Sequence, residues 1–272
     1  MAEPFRGVTV ARVRDGVRTP GTDRAATEEP LEIRLHGRPF AVIMRTPGAD
    51  RELAAGFLLS ERVLAGPDDL GTLEYCTDPG AEHPENIVTA TLANGSGERL
   101  ERILDDRRLV IGNSSCGLCG RQTIESLAVD APRITAGWTI AAERLVEIPE
   151  SFRAAQPIFD ETGGLHAAGL FTREGRIETM AEDVGRHNAV DKVIGRMLMA
   201  DRLPLSEHLL FVSGRTSFEI VQKAFLAGIP IVAAVSAPSS LAIDLAEESG
   251  LTLIGFLRGR NFNVYAHPER IV

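Results

Sequence analysis

The chain has 272 residues, 44% apolar and 25% charged, with a net charge of −9 and three cysteines. That is enough material for a large core without staples, too few cysteines for a disulfide framework, and too negative a surface to attract nucleic acid as a whole. No apolar run reaches the length of a membrane span and the N-terminus carries no signal-like apolar stretch, so the reading is a cytoplasmic protein with reduced thiols, binding neither membrane nor nucleic acid.

In chain order, the polar stretch 16–30, GVRTPGTDRAATEEP, reads as a linker or mobile arm. LEIRL and AVIMR flank HGRPF as the strands of a hairpin. Thr46 and Pro47 then announce a helix over ADRELAAGFLLSERVL, where Leu53 with Phe57 and Ala54 with Leu58 recur at helical spacing. GTLEYCT and NIVTATL read as strands separated by the turn-rich DPGAEHPE.

Next comes NSSCGLCG, holding Cys116 and Cys119 among Gly112, Gly117 and Gly120, ahead of the helical RQTIESLAV. Glycines let the backbone bring either sulfur outward, and a helix start just beyond favours a thiolate. The pair suits sulfur delivery, but CxxC also serves as half a zinc site or a disulfide switch. A closed zinc site needs four ligands, and the remaining cysteine, Cys76, lies in a strand and reads as a buried small hydrophobe. No metal site is therefore assigned. Pro132 and Gly137 mark a boundary, giving an N-terminal region 1–131 and a C-terminal domain 132–272.

The second half alternates strands (LHAAGLFT, RIETMAE, HLLFVS, IPIVAAVS, LTLIGFL) with helices (HNAVDKVIGRMLMA, TSFEIVQKAFLAG, SSLAIDLAEES). This pattern predicts an α/β fold, a mixed but mostly parallel sheet with flanking helices, preceded by the hairpin-containing region. Ligands of such sheets bind at the carboxyl ends of strands. Four strands run there into small, polar or cationic residues: Asp183, Gly185, Arg186, His187 and Asn188; Ser213, Gly214 and Arg215; Pro238, Ser239 and Ser240; Arg258, Gly259 and Arg260. Glycines admit a ligand to the backbone, arginines pair with phosphate, and helix starts after Arg215 and Pro238 offer free N–H groups, as a nucleotide cradle requires. His166 can reach the same place through the Gly163–Gly164 turn, or else be a satisfied interior histidine. His187, Asp191 and Asp183 have a spacing that could hold a metal, although a hydrogen-bonded helix start touching the ligand is favoured. Glu182 and Asp183 point to opposite faces and make a poor acid–base pair. A zinc nucleobase deaminase is a competitor for CxxC plus histidine, but here the histidine motif is HAA without the glutamate, Ser115 replaces the proline, and the cysteines come first.

Together, SCGLCG, TGGLHAAGLF, EDVGRHNAVDKVIG, FVSGRTSFEIVQKA, SAPSSLAIDLA and GFLRGRNFNVYAHPERI resemble the FdhD family of formate dehydrogenase accessory sulfurtransferases, in order and over nearly the whole chain. The resemblance implies a fold similar to cytidine deaminases and a homodimer. It implies persulfide sulfur received from a cysteine desulfurase and passed to a molybdenum bis(molybdopterin guanine dinucleotide) cofactor for the formate dehydrogenase catalytic subunit. It implies Cys116 as persulfide carrier with Cys119 as partner, and Phe256, Leu257, Arg258, Gly259, Arg260 and Asn261 as the cofactor-binding stretch, with guanine nucleotides as mimics. A molybdenum-cofactor chaperone without sulfur transfer, or a structural zinc protein binding nucleotides, are the alternatives.

Overall fold

The computed structural model describes residues 3–93 and 131–272. The NSSCGLCG segment with Cys116 and Cys119, and the stretch expected to form a helix after it, lie outside the described residues.

The chain opens with a two-stranded ribbon, β1 (Phe5–Arg14) and β2 (Val17–Ala26), paired antiparallel over ten positions. Asp15 and Gly16 both take positive φ (50° and 79°), the geometry that a two-residue hairpin needs. Most of the stretch expected as a linker is thus strand. Its residues are solvated on both faces, so no apolar alternation betrays it.

The predicted hairpin forms as β3 (Glu29–Leu35) and β4 (Arg38–Arg45), again around two positive-φ residues, His36 and Gly37. With β5 (Leu70–Tyr75) and β6 (Ile87–Leu92) it makes a four-stranded sheet of order β4-β3-β6-β5, in which only β3 and β6 run parallel. Helix α1 (Asp50–Ser60) joins β4 to this sheet's far side and stops at Ser60, short of the full periodic run. Its entry is fixed by Arg45, almost fully buried, whose guanidinium donates to both Asp50 oxygens at 2.9 and 3.1 Å and to Asn86 Oδ1 at 2.8 Å.

Three short helices, α2 (Ala142–Leu145), α3 (Ile148–Ala154) and α4 (Pro157–Thr162), precede the larger sheet. That sheet contains β7 (His166–Thr172), β8 (Ile177–Asp183), β9 (His208–Val212), β10 (Ile231–Ala234), β11 (Thr252–Arg258) and β12 (Asn261–Ala266), in the order β12-β11-β10-β9-β7-β8. Helices α5 (Arg186–Met199), α6 (Phe218–Leu226) and α7 (Ser240–Ser249) fall where the sequence placed them. The sheet is mixed, but not mostly parallel: β9–β10 and β10–β11 are parallel, while β7–β8, β7–β9 and β11–β12 are antiparallel. The turns 173–176 and 259–260 are too short for a parallel crossover.

Both faces of the sheet are buried, and residue alternation divides them. Leu210, Val212, Val232 and Ala234 face one cluster, which also takes Leu31, Ile33 and Leu35 of β3, Leu53 and Leu58 of α1 and Val190, Val193 and Ile194 of α5. Leu209, Phe211, Ile231 and Ala233 face the other, beneath Trp138, Leu145 and Phe152. Phe152 meets Phe211 edge-on at 4.9 Å between ring centres. Helices α1 and α5 approach closely at two glycines: a Cβ on Gly56 would overlap the Asp191 carbonyl, and one on Gly195 the Glu52 carbonyl.

Candidate functional site

The pairing directions decide what can meet. Strands β8, β9, β10 and β11 all run one way and β7 and β12 the other, so the ends of four strands and the starts of two share one edge. The residues predicted from separate strand ends are thereby gathered at that edge.

At its centre, β7 and β9 are stitched by Ser213, which donates its N–H to Ala167 O at 3.0 Å and accepts the Ala167 N–H on Oγ at 2.9 Å. Gly214 follows, and a Cβ there would sit 3.4 Å from His166 Nδ1 and 3.5 Å from Arg186 Cδ. Both side chains therefore pack against the backbone at Gly214. Gly163, at φ 64°, ends α4 and, with Gly164, turns the chain into His166. Burial, reinforced by Arg186, pushes the His166 imidazole below its ordinary pKa, so it is neutral at pH 7. Arg186 opens α5, and its Nε is a buried donor with no partner among the described residues. Arg215 is exposed beyond the β9 end.

The β11 end is irregular where it matters. Pairing with β12 slips between Gly255 and Arg258, and Phe256 sits at φ +55° with its ring 40% exposed. A bulky residue in the left-handed region and facing solvent is a strained, re-aimed side chain. Leu257 instead points wholly into the core, so only its backbone can face a ligand. Arg258 donates Nε to Val235 O at 2.7 Å, which holds the arginine across the neighbouring β10 end, and Gly259 turns at φ +54°. Gly259, Arg260 and Asn261 are exposed.

Helices α5, α6 and α7 all start at this edge. Only α7 has a side-chain cap, Ser239 Oγ accepting the Ala242 N–H, so the first N–H groups of α5 and α6 are left to face an anion.

Asp183 is placed differently from its prediction. It is fully buried and touches no solvent. Its carboxylate accepts from Gly185 N at 2.8 Å, Asn188 Nδ2 at 2.9 Å and Thr46 N at 3.2 Å, and pairs with Lys192 Nζ at 2.7 Å. It supports the β8–α5 turn from behind. His187 lies close to Asp191 in sequence but not in partnership. Its Nε2 is 3.2 Å from Ser217 Oγ and 3.3 Å from Glu219, while Asp191 takes two 2.9 Å bonds from Lys223 and one from Ser60 at 2.8 Å. Burial first, then Lys223 and Arg186, lower the His187 pKa to about 3. Glu219 is held above the carboxylate range by burial, against the pull of Lys223. Lys223 stays charged above its ordinary value because Asp191 and Glu219 outweigh the cost of burial. The sequence reading missed Thr46, Glu219 and Lys223; the Glu219–Lys223 spacing of four was the one available signal. Glu182, as expected, turns away from Asp183, and accepts from the first N–H groups of α4, Ile158 and Phe159, at 3.1 and 2.7 Å. Cys76 is a partly exposed free thiol just after β5, not a buried one.

A mixed α/β body thus presents arginines, glycines, uncapped helix starts and an exposed aromatic residue along one strand-end edge. The chain belongs to the FdhD/NarQ family, whose model matches residues 26–272. It is 52% identical over 270 residues to the sulfur carrier protein FdhD of Streptomyces avermitilis, covering 96% of this chain and 94% of that one. The sulfur carrier protein FdhD of Sulfolobus acidocaldarius is 45% identical, with 98% of each chain covered. A crystal structure from Desulfotalea psychrophila, of a protein named for a formate dehydrogenase accessory role, superposes with a TM-score of 0.76 at 26% identity, covering 99% of this chain and all of that one.

Proposed function

We propose that this chain is a sulfur carrier in formate dehydrogenase maturation. It accepts persulfide sulfur from a cysteine desulfurase on Cys116, assisted by Cys119, and hands it to a molybdenum bis(molybdopterin guanine dinucleotide) acceptor destined for the formate dehydrogenase catalytic subunit. The observation that carries the binding half is the single edge to which Arg186, Arg215, Arg258 and Arg260 are brought beside two uncapped helix starts. A guanine dinucleotide is a polyanion ending in a flat base, and it fits what the edge leaves open: an unpartnered guanidinium nitrogen, a glycine beside His166, and an outward phenyl ring. Names given to close relatives support the sulfur half.

Chemically, a Cys116 thiolate attacks the outer sulfur of the donor persulfide, and the donor leaves as its own thiolate. Arginines and helix N–H groups hold the acceptor's phosphates, so that its reacting end is presented to the sulfur and encounter becomes local. His166, neutral at pH 7, adds no second charge beside Arg186 and can accept or donate one hydrogen bond. A core similar to the cytidine deaminases and a reducing, cytoplasmic setting belong to the same reading.

The test is intact-mass analysis after incubation with a desulfurase and cysteine, paired with calorimetric titration of guanosine diphosphate. Wild type should gain one sulfur atom. Cys116→Ala should gain none and bind the nucleotide unchanged, whereas Arg258→Ala should gain sulfur and bind at least tenfold more weakly, about the 1.5–3 kcal/mol of a hydrogen bond to a charged group. A wild type that binds nucleotide yet never takes up sulfur would leave a cofactor carrier without sulfur transfer.

A further inference from the structure

Helices α6 and α7 are given the same start by the sequence and do not make the same use of it. Each has a serine at its N-cap in extended backbone, Ser217 at φ −88° and ψ 169° and Ser239 at φ −84° and ψ 161°. A serine so placed ordinarily turns its hydroxyl oxygen to an N–H in the helix's first turn. Ser239 does this, accepting from Ala242 N at 3.3 Å. Ser217 does not. Its Oγ lies 3.2 Å from His187 Nε2, and the N–H of Ile220, the counterpart of Ala242, has no partner among the described residues.

The difference comes from the neighbouring helix. His187, in the first turn of α5, reaches across to the α6 start and is held there. Its Nε2 is also 3.3 Å from Glu219, whose other oxygen is 3.3 Å from Lys223 Nζ, and Lys223 is bonded to both oxygens of Asp191 at 2.9 Å. Asp191 belongs to α5 like His187, so the chain of contacts closes on the helix that carries the imidazole. Next to Ser217, the fully buried Thr216 hydroxyl also lacks a hydrogen-bond partner among the described residues, a deficit that calls for a reason. Helix α5 is open by a simpler route, since its N-cap is Gly185, which has no side chain to offer. Two adjacent helices thus forgo a stabilising cap at the one edge where free N–H groups have a use.

We infer that His187 is a positioning residue: by drawing the Ser217 hydroxyl away from the first turn of α6, it keeps that turn's N–H groups open to an anionic group of the ligand. This rests on the reading of the edge as a phosphate-binding site, and adds why a helix start there is open although its own sequence supplies a cap. His187 acts through Ser217. Without the imidazole the hydroxyl returns to Ile220 N, as Ser239 does to Ala242 N, and a ligand must displace it.

Calorimetric titration of guanosine diphosphate into wild type, His187→Leu, Ser217→Ala and the double variant tests this, with circular dichroism to confirm the fold. Where His187→Leu fails to fold, His187→Ala takes its place. His187→Leu should bind about fivefold more weakly, the factor by which a cap of ordinary strength handicaps a competing ligand. Ser217→Ala, with no hydroxyl to return, should bind within about twofold of wild type, and adding it to His187→Leu should restore affinity to that range. Amide exchange at Ile220 should slow in His187→Leu and recover in the double variant. A histidine that served the fold alone would leave the double variant as weak as His187→Leu or weaker. That result, an unchanged affinity in His187→Leu, or a weakened Ser217→Ala would each overturn the assignment. A wild type that binds no nucleotide would overturn the reading of the edge itself, and the role of His187 with it.

Discussion

His187 illustrates how burial sets chemistry one side chain at a time. Its imidazole faces Ser217 and Glu219 with Lys223 close behind, and cannot take a proton until the pH nears 3. The unfolded chain takes that proton near pH 6.5, so His187 makes stability fall as pH drops through the interval from 6.5 to 3. Glu219 works in the opposite sense, since its raised folded pKa costs stability as pH rises above 4.5. A comparison with His187→Gln isolates the histidine. Between pH 7 and pH 5 the wild type should lose about 2 kcal/mol more than the variant in urea denaturation, from one proton taken up by the unfolded state over about one and a half pH units. Equal losses would mean that His187 is already charged in the folded protein.

Among elements, the α1–α5 crossing governs how the hairpin half meets the edge-bearing sheet. Gly56 and Gly195 each face backbone of the opposite helix, where nothing flexible can give way. Gly56→Ala would gain about 1 kcal/mol of helix propensity and lose about 3 kcal/mol to overpacking, for a net destabilisation of about 2 kcal/mol in chemical denaturation. Gly7→Ala, in the solvated ribbon with nothing within 4 Å of its Cβ, should change stability by less than about 0.5 kcal/mol. A tolerated Gly56→Ala would mean that the helices can part. The same crossing carries Asp191, whose backbone touches Gly56 while its carboxylate holds Lys223, so a shift there would also disturb the helix start at which His187 sits.

Across the whole molecule, one hydrophobic cluster takes side chains from β3 and α1 as well as from β7, α5, β9 and α6. Thr46, just after β4, and Met44 O, within β4, are also bonded to Asp183, Lys192 and Asn188 beneath the edge. Two halves joined by so many buried contacts should unfold together. Circular dichroism and the fluorescence of Trp138, the single tryptophan, should give coincident denaturation curves. Two separated transitions would show that the hairpin half and the edge-bearing half are independent.

Strands and helices with an apolar signature were legible in the chain itself: LEIRL, HLLFVS and IPIVAAVS bury their apolar residues, and α5, α6 and α7 form where their periodicity lies. So were the glycines and arginines of the strand ends, because small and cationic residues repeated after four apolar runs are a local pattern. Three things were not legible. The solvated ribbon has no buried face to write a period into the sequence, and the antiparallel order of β7 and β12 follows from which strand ends a short turn can join. That Asp183 is buried behind the edge while Arg186 stands at it depends on Lys192 and Thr46, one from the next helix and one from 137 residues earlier. Sequence determines which residues carry charge, sulfur and turn chemistry, since those are properties of single side chains and their neighbours. Direction of the strands, and so which of those residues meet, belongs to long-range pairing that only the folded chain decides.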